Sequence, residues 1–592
     1  MSRLLLALLL TLLPLHAQET LFRQVADTKT DTHIEATALF SSPSLGGFHP
    51  VRVTIVNNQK IPHKVFLDFK DSTTYRESTS CTSSFSYAIP PGKTVVTDIL
   101  VPLAVHNGDP VYKNFTVNLS GSMGKTSGSA DTSFSPDFPC VLLSEALYTP
   151  NGSALDTESN SSRFASSGGY GFHKLFSSKF DPKRLPDDWR AFSGFDTIML
   201  TEADWADVPP GPRNGIASWV RLGGQLVIYA SGNPTAASLG LPEDPGFGEA
   251  LIKSIKPDLI LDPKITVDLA YINRATKHRL ATITRDFNSA WPLQKSFGEK
   301  SFNYILFVII LLAFGILVGP VNLFVFAKSG RRHRLFITTP LISIGTSLIL
   351  IALIIFEDGF GGNGTRLTLM EVRPDGNQNA AFIHQEQFSR SGVMTSPSFT
   401  VETPALIAQT PLAPSRWARF TSGYVSVTSG GTTTTTTSGS GSSGTYDLQP
   451  TSGGLFASGD WFQSRSEQGQ LVTAVLPTRG RIEATNDPGT VVSTFDFPLE
   501  MILYRDPSGQ WHRGENIAKG KPAKLIPVDP TMVQPILNDT AKRFTDRNQA
   551  FLRRVSDRND SYIAFAKQAP AVETHPGIDW KTDTVITGPI AR

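Results

Sequence analysis

The 592-residue chain is predicted to be a multidomain protein of the α/β plus β class, with two helices long enough to cross a membrane. Three observations predict this. Two long uncharged apolar runs lie near the middle of the chain. Glycine-, proline- and hydroxyl-rich stretches of alternating hydrophobicity flank them, and one stretch shows short apolar runs separated by helix-compatible segments. A domain takes roughly 100 to 200 residues, so the length predicts about three or four units. Lys and Arg total 54 against 52 Asp and Glu, which excludes both a global basic field for nucleic acid and an acid-driven disordered chain.

The opening residues MSRLLLALLLTLLPLHAQE have one Arg, an apolar run and small Ala17 before a polar residue. This is the layout of a secretory signal peptide over residues 1–17. Beyond it, FHPVRVTIVNNQKIPHKVFLDF alternates Val51, Val53, Ile55 and then Val65, Leu67, Phe69, with an Asn-Asn turn between. The pattern repeats at about ten-residue spacing, which predicts an immunoglobulin-like β-sandwich over residues 25–138. Export would place Cys81 and Cys140, the only two cysteines, in an oxidising space where a disulfide persists. The sequence leaves open whether they pair or remain buried thiols.

From Cys140 the pattern changes. VLLSEAL, FDTIMLTEADW and GGQLVIYASG are short apolar runs with polar ends, as buried parallel strands read. GPRNGIASWVRLGG puts Ile216, Trp219, Val220 and Leu222 at helical spacing and runs through Gly223 into QLVIYA, a glycine-capped helix feeding a strand. Residues 140–265 are therefore predicted to be a small doubly wound α/β domain.

The uncharged runs 302–327 and 335–356 each exceed the length that crosses a hydrocarbon core of about 30 Å. Pro320 and Pro340 lie inside them, which membrane helices tolerate where neighbours or hydroxyls satisfy the freed carbonyls; Thr338, Thr339 and Ser343 are the candidates. The turn 328–334 carries Lys328, Arg331, Arg332 and Arg334. Such a basic turn is retained in the cytoplasm, which sends both flanking soluble regions to the opposite side. Residues 363–592 then alternate again, as in TRLTLMEVRP and FPLEMILYRDPSGQWHRG, with Asp506 to Gly509 as a hairpin turn. They are predicted to be a second β-rich domain with an amphipathic helix near 531–556.

Two segments carry a resemblance. FDTIMLTEADW through SWVRLGGQLVIYASG resembles the amidotransferase-like, flavodoxin-type domain of large uncharacterised bacterial membrane proteins. GPVNLFVFAKSGRRHRLFITTPLIS is similar to the turn between their paired membrane helices. The resemblance implies a protein of the bacterial inner membrane with extracytoplasmic modules, and it implies no reaction.

A working amidotransferase of this type needs a cysteine on a strand-to-helix turn and a His-x-Glu pair to activate it. Neither Cys81 nor Cys140 occupies such a turn, and the one His-x-Glu string, His384 to Glu386, falls beyond both apolar runs. Glu202 and Asp204, at the end of a predicted strand, are the candidate catalytic acids, because ligands of open α/β sheets sit outside the strand ends. The competing assignment makes them loop acids, one capping a helix. His173 and His278 have no second ligand at metal spacing, so neither metal nor cofactor is predicted. The sequence favours a non-enzymatic membrane protein whose exported modules bind or scaffold envelope partners, with the lipid bilayer as a partner and nucleic acid excluded. The alternative is an extracytoplasmic hydrolase working at the α/β strand ends.

Overall fold

The computed structural model describes residues 19–591 except 45, 74–78, 106–110, 135–138, 162–174, 242–244, 276–290, 299–303, 327–329, 331, 376–377, 414–417, 419–424, 430–431, 437–443 and 568. The signal peptide expected over 1–17 lies outside the described residues. The chain is a mixed α/β and β-rich protein built on several sheets, with two apolar helices between its halves.

The first unit contains β1 (Glu19–Asp27), β2 (Thr32–Ala38), β3 (Gly47–Asn57), β4 (His63–Thr73), β5 (Thr79–Ile89), β6 (Lys93–Leu103), β7 (Val111–Gly121) and β8 (Thr126–Phe134). One sheet runs β1-β2-β3-β6 and the other contains β5-β4-β7-β8. The alternation predicted from the sequence places Val51, Val53 and Ile55 opposite Val65, Leu67 and Phe69 in a single dry core with Phe115, Val117 and Leu119, since successive strand residues face opposite sides.

A buried ion pair sits at one end of this core. Lys113 Nζ lies 2.8 Å from Asp71 Oδ2, with both side chains fully buried. Lys113 also donates to the Ser44 carbonyl at 3.0 Å, and the Ala104 amide donates to Asp71 at 2.8 Å. Burial of two charges is tolerable only where such extra donors and acceptors are supplied. His49 packs edge-on to Phe115 at 5.1 Å beside this pair.

The second unit is a five-stranded, wholly parallel sheet of β9 (Val141–Ser144), β10 (Ser177–Phe180), β11 (Thr197–Thr201), β12 (Gln225–Ala230) and β13 (Glu249–Ser254), in the order β10-β9-β11-β12-β13. Helices α1 (Glu145–Ser159), α2 (Glu202–Asp207), α3 (Pro210–Arg221) and α4 (Pro263–Ala275) accompany it. One face packs Leu143, Met199 and Val227 against Leu147 and Leu155 of α1 and Val267 of α4. The other packs Ile198, Leu226 and Ile228 against Ile216, Trp219 and Val220 of α3. The predicted helix and strand appear as α3 and β12. Gly223 takes φ of 113° between them, a left-handed turn that suits glycine.

Next come α5 (Pro292–Phe297), α6 (Tyr304–Ile316) and α7 (Leu335–Asp358). Helix α6 widens over Leu317–Phe326 into a π-helical segment containing Pro320, a departure from the uniform helix expected. Proline lacks an N–H and crowds the carbonyl four residues back, and the wider turn relieves that clash.

The C-terminal half supplies β14 (Gly362–Asp375), β15 (Gln378–Ser391), β16 (Phe399–Val401), β17 (Ala405–Thr410), β18 (Val425–Ser429), β19 (Thr432–Thr436), β20 (Gly444–Pro450), β21 (Leu455–Gly459) and β22 (Glu467–Thr478). It continues with β23 (Ile482–Ala484), β24 (Thr490–Ser493), β25 (Leu499–Arg505), β26 (Trp511–Ile517), β27 (Pro522–Lys524), β28 (Ile526–Val528), helices α8 (Pro530–Ala541) and α9 (Asp546–Ser556), β29 (Ser561–Ala566) and β30 (Ile578–Pro589). Nine strands form one sheet, β17-β22-β15-β14-β30-β29-β25-β26-β28. The hairpin turn expected at Asp506 to Gly509 joins β25 to β26, with the Gly509 amide bonded to the Asp506 carbonyl at 2.9 Å.

Two further features differ from the sequence reading. The single amphipathic helix expected near 531–556 is two helices, with Pro535 inside the first and a break at 542–545. The break has a cause: the Thr545 amide and hydroxyl both donate to Glu386, so Thr545 turns away from the helix path. Strands β20, β21 and β16 also leave the C-terminal half and extend the first unit's sheet, in the order β16-β21-β20-β5-β4-β7-β8. Backbone pairing of β20 with β5 covers only two residue pairs. Beyond it, side chains take over. Asp447 Oδ1 accepts from the Thr82 amide and hydroxyl at 3.1 and 2.6 Å, and Gln449 Oε1 accepts from the Ser84 amide at 2.7 Å.

Burial, reinforced by the Lys113 charge, lowers the His49 pKa from 6.5 to about 3. The unfolded chain therefore binds a proton at a higher pH than the folded chain does, so stability falls as pH drops from about 6.5 towards 3, by up to about 1.4 kcal/mol per pH unit. The unfolding free energy, measured by chemical denaturation, is expected to fall as pH is lowered from 6.5 to 4, and His49→Phe to flatten that dependence. An unchanged pH slope in the variant would remove His49 as its source.

Candidate functional site

The ends of the parallel strands were the predicted location of chemistry, and there the side chains are tied to one another. Thr201 ends β11 and caps α2: its hydroxyl accepts from the Asp204 amide at 3.0 Å, while Asp204 Oδ2 accepts from the Thr201 amide at 3.1 Å. The same oxygen accepts from the Thr201 hydroxyl at 2.8 Å and from Ser144 Oγ, at the end of β9, at 2.7 Å. Asp204 thus closes a capping box and bridges two neighbouring strands. Glu202 sits in the first turn of α2, half-buried, where a carboxylate complements the helix dipole.

The cysteines form no disulfide; both are buried thiols. Burial, with the nearby Asp71 charge, pushes the Cys81 thiol well above its ordinary value, which disfavours the nucleophilic thiolate. Cys140 starts the approach to β9, and its amide donates to Asp196 Oδ2 at 2.7 Å. Among the described residues, no group of three or more His, Cys, Asp or Glu side chains is placed to hold a metal ion. His173 and His278 lie outside the described residues.

A strongly polar buried place lies where the α/β unit and the C-terminal helices meet the nine-stranded sheet. Strand β15 carries His384, Gln385, Glu386 and Gln387 in succession, all fully buried. His384 and Glu386 face one side. The His384 ring packs against Phe247 at 5.2 Å and Phe551 at 5.0 Å, and those two rings stack at 4.9 Å. Glu386 accepts from the Thr545 amide at 3.0 Å, the Thr545 hydroxyl at 2.5 Å, Asn548 Nδ2 at 2.7 Å and Trp291 Nε1 at 3.1 Å. Burial pushes its carboxyl upward, and these donors pull against that shift. On the other side, Gln385 donates to the Val572 carbonyl at 3.0 Å, and Gln387 donates to Gln470 Oε1 at 2.9 Å.

Close by, Glu371 of β14 pairs with Arg373 and Arg558 at 2.7 Å each. Arg558 also donates to the Gly246 carbonyl, and Arg554 donates to the Gly248 carbonyl at 3.3 Å. The loop before β13 is therefore pinned to α9 and to the turn that follows it. The His-x-Glu string is built into this junction and is remote from both cysteines in sequence. A run of four polar residues between the apolar stretches AAFI and F was the available signal that β15 is covered on both faces.

The apolar hairpin is the other distinctive construction. Val308–Phe326 and Arg332–Leu353 are long and apolar enough to cross a membrane, and almost none of their surface is covered by the rest of the chain. Of the topology residues, Arg332 and Arg334 form the short turn before α7. Lys328 and Arg331 lie outside the described residues. The one fully buried polar residue in the π segment, Asn322, donates to Thr339 Oγ1 at 2.9 Å and accepts from Thr338 Oγ1 at 2.6 Å. Thr338 also donates to the Arg334 carbonyl at 3.0 Å. These two hydroxyls therefore cross-link the helices, a different job from satisfying carbonyls freed by proline.

The far ends of the hairpin are held at one end of the nine-stranded sheet, by the ends of its interior strands. Arg390 of β15 donates to the Gly298 carbonyl at 2.6 Å, just before α6, and stacks on Phe297 with 5.1 Å to the ring centroid. Asp358, the last residue of α7, pairs with Arg465 at 2.6 Å. The Val393 amide bonds the Gly359 carbonyl at 2.9 Å, and the chain passes directly into β14.

No protein-family model matches the chain, and no curated protein does. Among solved structures, the chain has some likeness to the sporulation control protein Spo0M from Bacillus subtilis, at 14% identity and a TM-score of 0.12, covering 18% of this chain and 50% of that one. Another is a calcium-binding mutant of Bacteroides uniformis beta-glucuronidase 2, at 10% identity and a TM-score of 0.15, covering 43% of this chain and 31% of that one. Likeness at this level carries no argument about fold or activity.

Substitutions at Glu386 and at Asn322 test these two constructions. Glu386→Gln presents an amide N–H₂ to a set of donors and is expected to cost about 1–3 kcal/mol, read as a lowered unfolding midpoint of the detergent-solubilised protein, with Glu386→Asp intermediate. Asn322→Leu removes both cross-helix bonds and is expected to cost roughly 0.6–2 kcal/mol, measured by the same unfolding assay. Wild-type behaviour of the Leu variant would show that the bonds contribute nothing net.

Proposed function

We propose that the chain is a multi-pass integral membrane protein of the bacterial inner membrane whose two large soluble regions both lie on the extracytoplasmic side, where they bind or scaffold other envelope proteins. The observation that carries this reading is the bare apolar hairpin whose two far ends attach to one end of the nine-stranded sheet, through Arg390 with Gly298 and through Arg465 with Asp358. Exposed apolar surface of this extent requires a non-aqueous neighbour. Attachment at one end of the sheet keeps the soluble units together, and the basic turn at the opposite end of the hairpin favours a cytoplasmic location for that turn.

Within this reading the first unit is an immunoglobulin-like module and the second an amidotransferase-like one. The strand order β10-β9-β11-β12-β13 supports a flavodoxin-type arrangement, because renumbered along the domain it is the doubly wound order 2-1-3-4-5. The side chains at its strand ends serve as caps and ties, which favours a binding role over hydrolysis at Glu202 and Asp204.

Topology reporters fused after Gly330 and after Arg592 are expected to read out on opposite sides of the membrane; the same side for both would overturn the architecture. Crosslinking and mass spectrometry of protein purified in mild detergent are expected to recover reproducible envelope partners attached to the exported units. Recovery of the protein alone would count against scaffolding.

A further inference from the structure

A cavity of about 1000 Å³ lies at the foot of the nine-stranded sheet, beside the end of α7. Glycines 359, 362, 392 and 577 contribute to its wall, and their missing side chains leave space there. Four charged residues line it, and they fall into two classes. Arg390 and Asp358 are neutralised within the protein, Arg390 by Glu467 at 2.7 Å and Asp358 by Arg465 at 2.6 Å. Asp579 and Lys581, both exposed, have no ion-pair partner among the described residues. They stand two residues apart at the start of β30, hence on one side of the strand and about 7 Å apart along it. The cavity thus offers one uncommitted cation beside one uncommitted anion.

Its depth follows from helix geometry. The uncharged run Leu335 to Phe356 is about 33 Å long as a helix, close to the roughly 30 Å hydrocarbon thickness. The cavity starts at Asp358 and so falls in the headgroup layer. Phe360 lines the cavity and is 69% exposed, and Phe356, one turn earlier, is 92% exposed. Their wholly apolar rings suit the acyl-chain side of that layer, where burying apolar surface is favourable.

We infer that this cavity binds the headgroup of a zwitterionic phosphoethanolamine lipid from the surrounding leaflet, with Lys581 receiving the phosphate, Asp579 receiving the ammonium and Phe360 lying against the glycerol and upper acyl chain. The inference rests on the membrane reading above. A purely anionic headgroup would satisfy Lys581 and leave Asp579 facing negative charge, which makes the paired charges selective for a zwitterion.

The test is native mass spectrometry of the full chain released from nanodiscs containing equal phosphatidylethanolamine and phosphatidylglycerol. The wild type is expected to retain phosphatidylethanolamine in preference, and Lys581→Glu and Asp579→Lys each to reduce that retention by about tenfold, equivalent to ~1.4 kcal/mol. Both residues are exposed, so folding of the variants is verified by an unchanged unfolding midpoint. Equal retention of the two lipids by the wild type, or undiminished retention by both variants, overturns the proposal. Soluble glycerophosphoethanolamine that competes as well as the lipid overturns the lipid as the source. Extraction of the protein from membranes by alkaline carbonate would refute the membrane reading itself, and is scored separately from lipid selectivity.

Discussion

The architecture turns on a carboxylate that has no water to face. Glu386 lies on a central strand, and a charge in such a place is tolerable only if hydrogen bonds replace its hydration. The donors come from far apart in the chain: Trp291 precedes the apolar hairpin, while Thr545 and Asn548 belong to the C-terminal helical region. One side chain therefore makes three segments mutually dependent. It also breaks what would have been one amphipathic helix into two, since the bonds that Thr545 gives to Glu386 leave it at the start of a new helix.

Around this point the molecule behaves as an interlocked whole more than as a string of modules. Phe247, from the α/β unit, enters the same aromatic cluster as His384 and Phe551, and Arg558 reaches back to the Gly246 carbonyl. The hairpin is held just as directly, because α7 passes into β14 with Gly359 and Gly361 bonded to the neighbouring segment at 392–393. Tilting α7 thus loads a central strand of the largest sheet without an intervening flexible linker.

The sequence was most legible where structure is set by near neighbours. Helix α3 followed by β12, the turn at Asp506 to Gly509, the alternating strands of the first unit and the two apolar helices all follow from periodicity, glycine placement and length. What escaped depends on partners distant along the chain. Nothing local to Asp71 or Lys113 announces that they meet in a dry core, and nothing in the text around Asp447 announces that it will bond to β5. Asn322 was hidden by its neighbours, since a lone amide in an apolar run gives no hint of its partner until the second helix is laid beside it. At the candidate site, Asp204 was legible as a position, at a strand end, while its commitment to Thr201 and Ser144 required the fold.

The strands that the C-terminal half contributes to the first unit impose a timetable. Ser80 and its partner Thr445 are separated by 365 residues, which at synthesis rates of about 5–20 residues per second amounts to roughly 20–70 s. Throughout that interval the edge of β5 awaits its neighbour, and an open strand edge is a template for pairing with any other chain. The nascent first unit therefore passes through a period of vulnerability that ends only when about three quarters of the protein has been made, and holding it apart from its siblings until then is part of what the cell must do to produce it.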